Sequence, residues 1–155
     1  MRRTDKEITD RTAIDQIIWS SQVLRLGMSK NEVPYIVPLS FGYDGSAFYV
    51  HTALTGRKLE FFQANPGVCF EVEQGVTLRP HPTDPCEWSF SFQCIVGYGT
   101  LSELVDVVEK QEALVQIMRH YAEGEWKFPP AALAGIRVWK IKVDRITGKQ
   151  SKDNI

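Results

Sequence analysis

The chain has 155 residues, 43% hydrophobic and 24% charged, which is enough apolar material for one domain with its own core and too much for a disordered segment. A formal net charge of −1 excludes a generic phosphate-backbone binder, which carries a marked basic excess, so no nucleic-acid partner is expected. No apolar run approaches the roughly 18 residues of a membrane span, and the start MRRTDKEITD lacks a signal peptide's apolar stretch; no membrane partner is expected, and the expected compartment is the cytoplasm.

In chain order, ITDRTAIDQIIWSS sets Ala13, Ile14, Ile17 and Ile18 on one face of a short amphipathic helix. The period then changes. In VPYIVPLSF, Val33, Tyr35, Val37, Leu39 and Phe41 alternate as in a strand with one buried face. Pro34 and Pro38 cannot donate to a ladder, so this strand lies at an edge or carries a bulge. Asp44-Gly45 predicts a hairpin turn, with SAFYVHT returning as the partner strand.

Thr55 is the expected N-cap of a helix through LEFFQA, which stops at Asn65-Pro66-Gly67. The amides of Gly56, Arg57 and Lys58 would then point outward beside two cationic side chains. Two readings stay open: an anion site built from backbone and charge, or a capped surface helix with solvated cations.

CFEVEQGVTL predicts a further strand, with Val68, Phe70 and Val72 on one side. RPHPTDPCEW, with three prolines in six residues, predicts a stiff extended loop. Its His81 and Cys86 form at best half a metal site, and the three cysteines (69, 86 and 94) lack any C-x-x-C pairing, so neither a metal nor a disulfide framework is expected. From Trp88 to Leu101 a long strand alternates Phe90, Phe92, Cys94, Val96 and Tyr98 with Ser89, Ser91, Gln93 and Ile95. Gly97 and Gly99 mark a bend or a close approach to the backbone.

Asp106-Val107-Val108-Glu109 is a capping box, and Leu114, Ile117, Met118 and Tyr121 follow at helical spacing. His120 near that helix's end would complement the dipole as a cation. Lys127 and the following Phe-Pro-Pro read as loop, and IRVWKIKVDRI as the last strand. The sum is about six strands and three helices, linked by hairpins without a βαβ rhythm. Neither a dinucleotide fingerprint nor a P-loop is present. The expected fold is mainly β: a β-barrel or curled sheet with peripheral α-helices, in a single domain spanning 1–155.

The run VPLSFGYDGSAFYVHTALTGRKLEFFQANPGVCFEVE resembles the FMN-binding split-barrel proteins of the pyridoxamine 5′-phosphate oxidase superfamily, in particular the branch that includes nitroimidazole-resistance proteins. FQCIVGYGTLSEL, MRHYAEG and the closing ITGKQS agree with it, so the resemblance covers nearly the whole chain. It implies a six-stranded Greek-key split barrel and a homodimer with two FMN sites at the subunit interface. By the same resemblance, the segment Thr52 to Lys58 binds the FMN phosphate, with Arg57 and Lys58 as its cations. Val37, Pro38, Leu39, Ser40 and Phe41 run along the isoalloxazine ring; His51, Thr52 and Ala53 line the flavin; and the strand around Gln93 and Cys94 contributes a side chain near it. Trp139 and Tyr98 are candidate aromatic walls, from this chain or its partner, with core packing as the expected role of each.

Two departures bear on substrate. The oxidases carry an arginine-rich C-terminal strand, whereas the tail here is DRITGKQSKDNI; and Phe41 stands where the oxidases place a basic residue near the ring. Vitamin B6 phosphates are therefore disfavoured as substrates. What is implied instead is an FMN-dependent oxidoreductase of nitroreductase or flavin-reductase type, using NAD(P)H or another donor to reduce a small electron-poor acceptor. His51, titrating near neutrality, is the candidate catalytic proton donor or acceptor, with a purely hydrogen-bonded wall residue as its alternative. A non-catalytic FMN carrier or redox-sensing module uses the same binding residues and stays open. So does a related cofactor such as a deazaflavin; haem would need an axial ligand, for which His51 is poorly placed.

Overall fold

The structure, a computed structural model, describes residues 4–151. The first three residues of MRRTDKEITD and the last four of DRITGKQSKDNI lie outside the described residues. A single 3-10 turn leads into β1 (Glu7–Ile8) and α1 (Arg11–Ser20). Then come β2 (Leu24–Lys30), β3 (Val33–Leu39), β4 (Gly42–Tyr43), β5 (Ala47–Ala53), α2 (Arg57–Ala64), β6 (Gly67–Arg79) and β7 (Ser89–Leu104). The chain finishes with α3 (Val107–Tyr121), α4 (Pro130–Ala134) and β8 (Ile136–Gln150).

All pairings are antiparallel, in the order β3-β2-β6-β7-β8-β5-β4, with β1 paired to β8. The sheet curls without closing, as a split barrel does. Among the described residues eight strands replace the expected six, but β1 and β4 have two residues each, which leaves six of full length.

The concave face is the core. Leu26, Phe70, Val72 and Ile95 are fully buried there, and Ile18 of α1 and Phe62 of α2 close it. Burial of α1 follows its spacing: Ile14, Ile17 and Ile18 point inward while Asp10 caps the first turn by accepting from the Ala13 N–H at 2.8 Å. A second, smaller core lies outside the sheet, where Ala113, Leu114 and Ile117 of α3 meet Leu133 of α4 and Val138 of β8. β8 is therefore covered on both faces at this point: Val138 faces α3 while its neighbour Trp139 faces the barrel core.

Four expectations are corrected. β2 was not foreseen, although Leu24, Leu26 and Met28 alternate in burial with Arg25, Gly27 and Ser29. β2, and not β5, is the partner of β3, through a two-residue loop of Asn31 (φ 50°) and Glu32 (φ 63°) between the paired Lys30 and Val33. Such loops need positive φ at both positions, and Glu is an unusual occupant that hid the turn. Asp44-Gly45 does turn a hairpin, but it joins β4 to β5, and β5 otherwise pairs with β8. Thr55 is not the cap of α2. Gly56, at φ 138°, takes the N-cap with no side-chain hydrogen bond, and its carbonyl accepts the Leu59 N–H at 3.0 Å.

Other expectations match. β3 is the terminal strand of the sheet. Asp106 caps α3 by accepting the Val108 and Glu109 amides. Gly97 and Gly99 mark close approaches: a Cβ on Gly97 would stand 2.2 Å from Cζ of Phe70, and one on Gly99 would stand 2.5 Å from the Lys142 carbonyl oxygen. The 80–88 loop is held by its own polar groups. His81 Nδ1 accepts the Asp84 N–H, and the Trp88 indole donates to the His81 carbonyl. Among the described residues, no helix is long and apolar enough to cross a membrane.

Candidate functional site

At the start of α2, the Arg57 guanidinium lies over the Tyr35 ring of β3 at 4.9 Å and near Phe61 at 5.8 Å, and Tyr35 packs on Phe61 at 4.9 Å. Among the described residues neither Arg57 nor Lys58 has a carboxylate within ion-pair distance, whereas Lys30 nearby is paired with Glu60. The amides of Arg57 and Lys58, as the first of the helix, have no intrahelical acceptor. Two uncompensated cations thus stand beside free backbone donors.

His51, at the end of β5, shares this neighbourhood. Partial burial, and secondarily the Lys58 charge, hold its pKa below the ordinary histidine value, so the imidazole is neutral at neutral pH. Its strand neighbours Val50 and Thr52 face the core, while His51 and Ala53 face outward.

The remaining predicted residues separate. Thr52 is buried, and its hydroxyl accepts the Trp139 indole N–H at 3.1 Å and donates to the Ala53 carbonyl. Its polar capacity is spent inside the protein. Phe41 is fully buried against Phe48 and His120, and its N–H donates to the Tyr121 hydroxyl at 3.0 Å. Its ring is core and its amide is taken. Val37 also faces the core, Leu39 is half-buried, and Pro38 and Ser40 are exposed. Because Pro34 and Pro38 lack N–H groups, the β2–β3 ladder stays intact when they face the open edge, which turns the Ile36 amide and carbonyl outward as well.

Gln93 accepts from Gln74 and donates to Gln150 in a row of amides across three strands. The Cys94 thiol is pushed up in pKa by burial first, with Glu71 adding to it. Cys94 pairs with Lys149 of β8, while His51 pairs with Val138 of the same strand. Val138 and Lys149 are eleven positions apart on β8, up to roughly 36 Å of strand. The Gln93/Cys94 block and the Arg57/Lys58 block do not meet within one chain.

His120 is also corrected. Its half-buried ring lies 4.0 Å from Phe41 with Nε2 2.7 Å from the Ser21 carbonyl, and partial burial lowers its pKa. It is a neutral bridge to Ser21, not a cation at a helix end.

What the sequence did not indicate is a groove of about 740 Å³ on the convex face. Gly27 and Cys69, directly paired, form its floor. Pro34, Tyr35 and Ile36 form one wall, and Tyr98, Gly99, Thr100 and Asp144 the other. Ile36 is 63% exposed and Tyr98 47%, so the walls present apolar and aromatic surface to whatever enters. The lining is mostly apolar and the volume is that of a small-molecule site. The Cys69 thiol in its floor is raised by burial and stays protonated near neutrality. Tyr35 joins the groove to Arg57. A cationic head on an apolar, aromatic-walled groove suits a flat ligand with an anionic end.

A curled antiparallel sheet with its edge left open, two covering helices and a groove across its convex face define a split-barrel protein. The family described as pyridoxamine 5′-phosphate oxidase matches residues 10–150. A crystal structure of a candidate 5-nitroimidazole antibiotic resistance protein from Bacteroides thetaiotaomicron is 32% identical, covering 93% of this chain and 86% of that one, with a TM-score of 0.83. The chain therefore belongs to the pyridoxamine 5′-phosphate oxidase family. The same fold is seen in the flavocytochrome Anf3 from Azotobacter vinelandii, at 18% identity over 97% of this chain and 72% of that one, TM-score 0.84. It is seen again in the FAD and haem binding protein from Mycobacterium smegmatis, at 17% identity over 95% and 74%, TM-score 0.85. An uncharacterised protein of Rhizobium meliloti is 22% identical over 72 residues, 46% of this chain, and the match spans about half (47%) of that relative's length.

Proposed function

We propose that the protein is an FMN-binding flavoprotein and an oxidoreductase of nitroreductase or flavin-reductase type. The observation that carries this is the pairing of uncompensated Arg57 and Lys58, beside unbonded first-turn amides, with the apolar groove reached through Tyr35. The residues suit the cofactor: a phosphate dianion wants cations and fixed N–H donors, and a ring system wants an apolar wall with a few polar contacts. Two proteins of the same fold are described as a flavocytochrome and as FAD and haem binding, which supports a flavin, with haem named beside it in both.

In this assignment Arg57, Lys58 and their amides hold the phosphate, and Ile36 and Tyr98 flank the ring. Bound FMN would supply the electron transfer, from NAD(P)H or another donor to a small electron-poor acceptor. His51, neutral near pH 7, is the residue able to exchange a proton beside the cationic head. A second copy of the chain is part of the proposal. Up to roughly 36 Å of strand separates the Gln93/Cys94 block from Arg57, so both blocks serve one cofactor only in a homodimer. A carrier or redox-sensing role draws on a different fact: His51 does not line the groove, and no histidine does among the described residues.

The test is an absorption spectrum of the protein purified without added cofactor, repeated after NADPH under anaerobic conditions. A two-band flavin spectrum that NADPH bleaches supports the reductase; a spectrum that persists supports the carrier or another donor. A colourless protein that refuses added FMN overturns the assignment.

A further inference from the structure

Asp144 is the only charged residue lining the groove among the described residues. Its position is built. β7 and β8 pair Tyr98 with Arg145 and Gly99 with Val143, so Asp144 is an extra residue in β8, a β-bulge that turns its side chain out of the regular alternation. Gly99 is what lets the bulged strand come close, since a Cβ there would lie 2.5 Å from the Lys142 carbonyl oxygen and 2.8 Å from Cγ2 of Ile141. The Thr100 hydroxyl then donates to Asp144 Oδ2 at 2.8 Å, which fixes the carboxylate and leaves Oδ1 as a free acceptor. The nearest cation on the same strand, Arg145, lies over the Tyr98 ring at 4.7 Å and is not ion-paired with Asp144.

We propose that Asp144, held by the bulge and Thr100, is the specificity residue at the β8 end of this groove: it takes the N–H or amino edge of a flat ring and rejects an anionic group at that end. The groove runs across five strands from Pro34 and Ile36 on β3 to Asp144 on β8, a span of roughly 19 Å at ordinary strand spacing. Its two ends have opposite character, cationic near Arg57 and acidic at Asp144. Resting on the assignment of the groove to a flavin, this orients the ligand, with its phosphate at the β3 wall and a donor edge at the β8 wall.

The test uses two planar tricyclic dyes, proflavine, a cation, and acridine, uncharged at mildly alkaline pH, titrated by fluorescence into the purified protein. The wild type should prefer proflavine by about fivefold, the size of one exposed charge contact. Asp144→Asn should erase most of that preference, and Thr100→Val part of it. Tyr98→Leu should weaken both dyes alike without changing their ratio. A ratio unmoved by Asp144→Asn, tighter binding of acridine, or failure of proflavine to bind the wild type would each overturn the proposal. FMN uptake, followed separately, distinguishes this from failure of the flavin assignment: Arg57→Ala/Lys58→Ala should weaken FMN binding roughly 100-fold, and no such loss would sink the flavin assignment while the Asp144→Asn dye ratio still decides this one.

Discussion

Replacing Arg57 and Lys58 with alanine tests the cationic head directly. In bulk-like surroundings two unit charges 4 Å apart interact by about 1 kcal/mol, and a partly shielded surface raises this severalfold. Both side chains have substantial solvent access, so about 1.5 kcal/mol of phosphate affinity per cation is a fair discounted value. That is roughly tenfold in Kd for each single variant and roughly 100-fold for the pair. The fold should tolerate the change. Arg57 gives up only its stack on Tyr35 and Phe61, worth about 0.5–1 kcal/mol at an exposed site. Flavin fluorescence quenching measures the affinity, with riboflavin as the control because it carries the same ring without the phosphate. FMN binding should weaken, riboflavin binding should hold, and the FMN difference should shrink as salt rises. Equal losses for both flavins, or no loss for FMN, would show that α2 does not hold the phosphate.

Three stability predictions follow from single contacts. Thr52→Val strips the Trp139 indole of its acceptor in a buried site and should cost about 1–3 kcal/mol in urea denaturation, with Thr52→Ser close to wild type. Gly97→Ala drives a methyl into Phe70, which is fully buried and stacked 4.7 Å from Phe48; about 3 kcal/mol or more is expected, and a wild-type melting temperature would refute the packing. His51 and His120 both have pKa values lowered by burial, so the unfolded chain binds protons more readily. Their contribution is complete above the unfolded value of 6.5 and is lost as pH falls through it toward the lower folded values. The urea midpoint should drop between pH 7.5 and 5.5, and His120→Gln should flatten that drop; a midpoint rising with acid would contradict the assignment.

The fold was legible where local chemistry was strong. Helices α1 and α3 announce themselves through apolar residues at helical spacing, and the Asp106 capping box is made as expected. The prolines of β3 correctly placed it at the sheet's edge, because a residue without an N–H is tolerated only there. β2 was lost for an equally local reason. Its alternation is broken at Gly27, where the outward residue has no side chain to mark the polar face, and its turn places Glu32 where Asn or Gly is usual. Without β2, the Asp44-Gly45 turn was given the wrong strand to return from.

The candidate site shows why a spacing argument finds charges sooner than cavities. Arg57 and Lys58 stand in a recognisable run at a helix start, so they could be singled out with no knowledge of what surrounds them. The groove has no such run. Its floor joins Gly27 to Cys69, forty-two positions apart, and its acidic end comes from β8. Each of these residues is unremarkable alone. Gly27 matters because it adds no Cβ to the convex face, and Asp144 matters because a bulge takes it out of register. Phe41 and Thr52 also stand in the recognisable stretch of sequence but point inward, Thr52 by the alternation of β5 and Phe41 from the link between β3 and β4, where Tyr121 takes the Phe41 amide and Trp139 takes the Thr52 hydroxyl. A ligand on the convex face meets the residues of the other parity, Ile36 on β3 and Tyr98 on β7. The face a strand residue occupies therefore decides its role here more than its distance along the chain from a familiar motif.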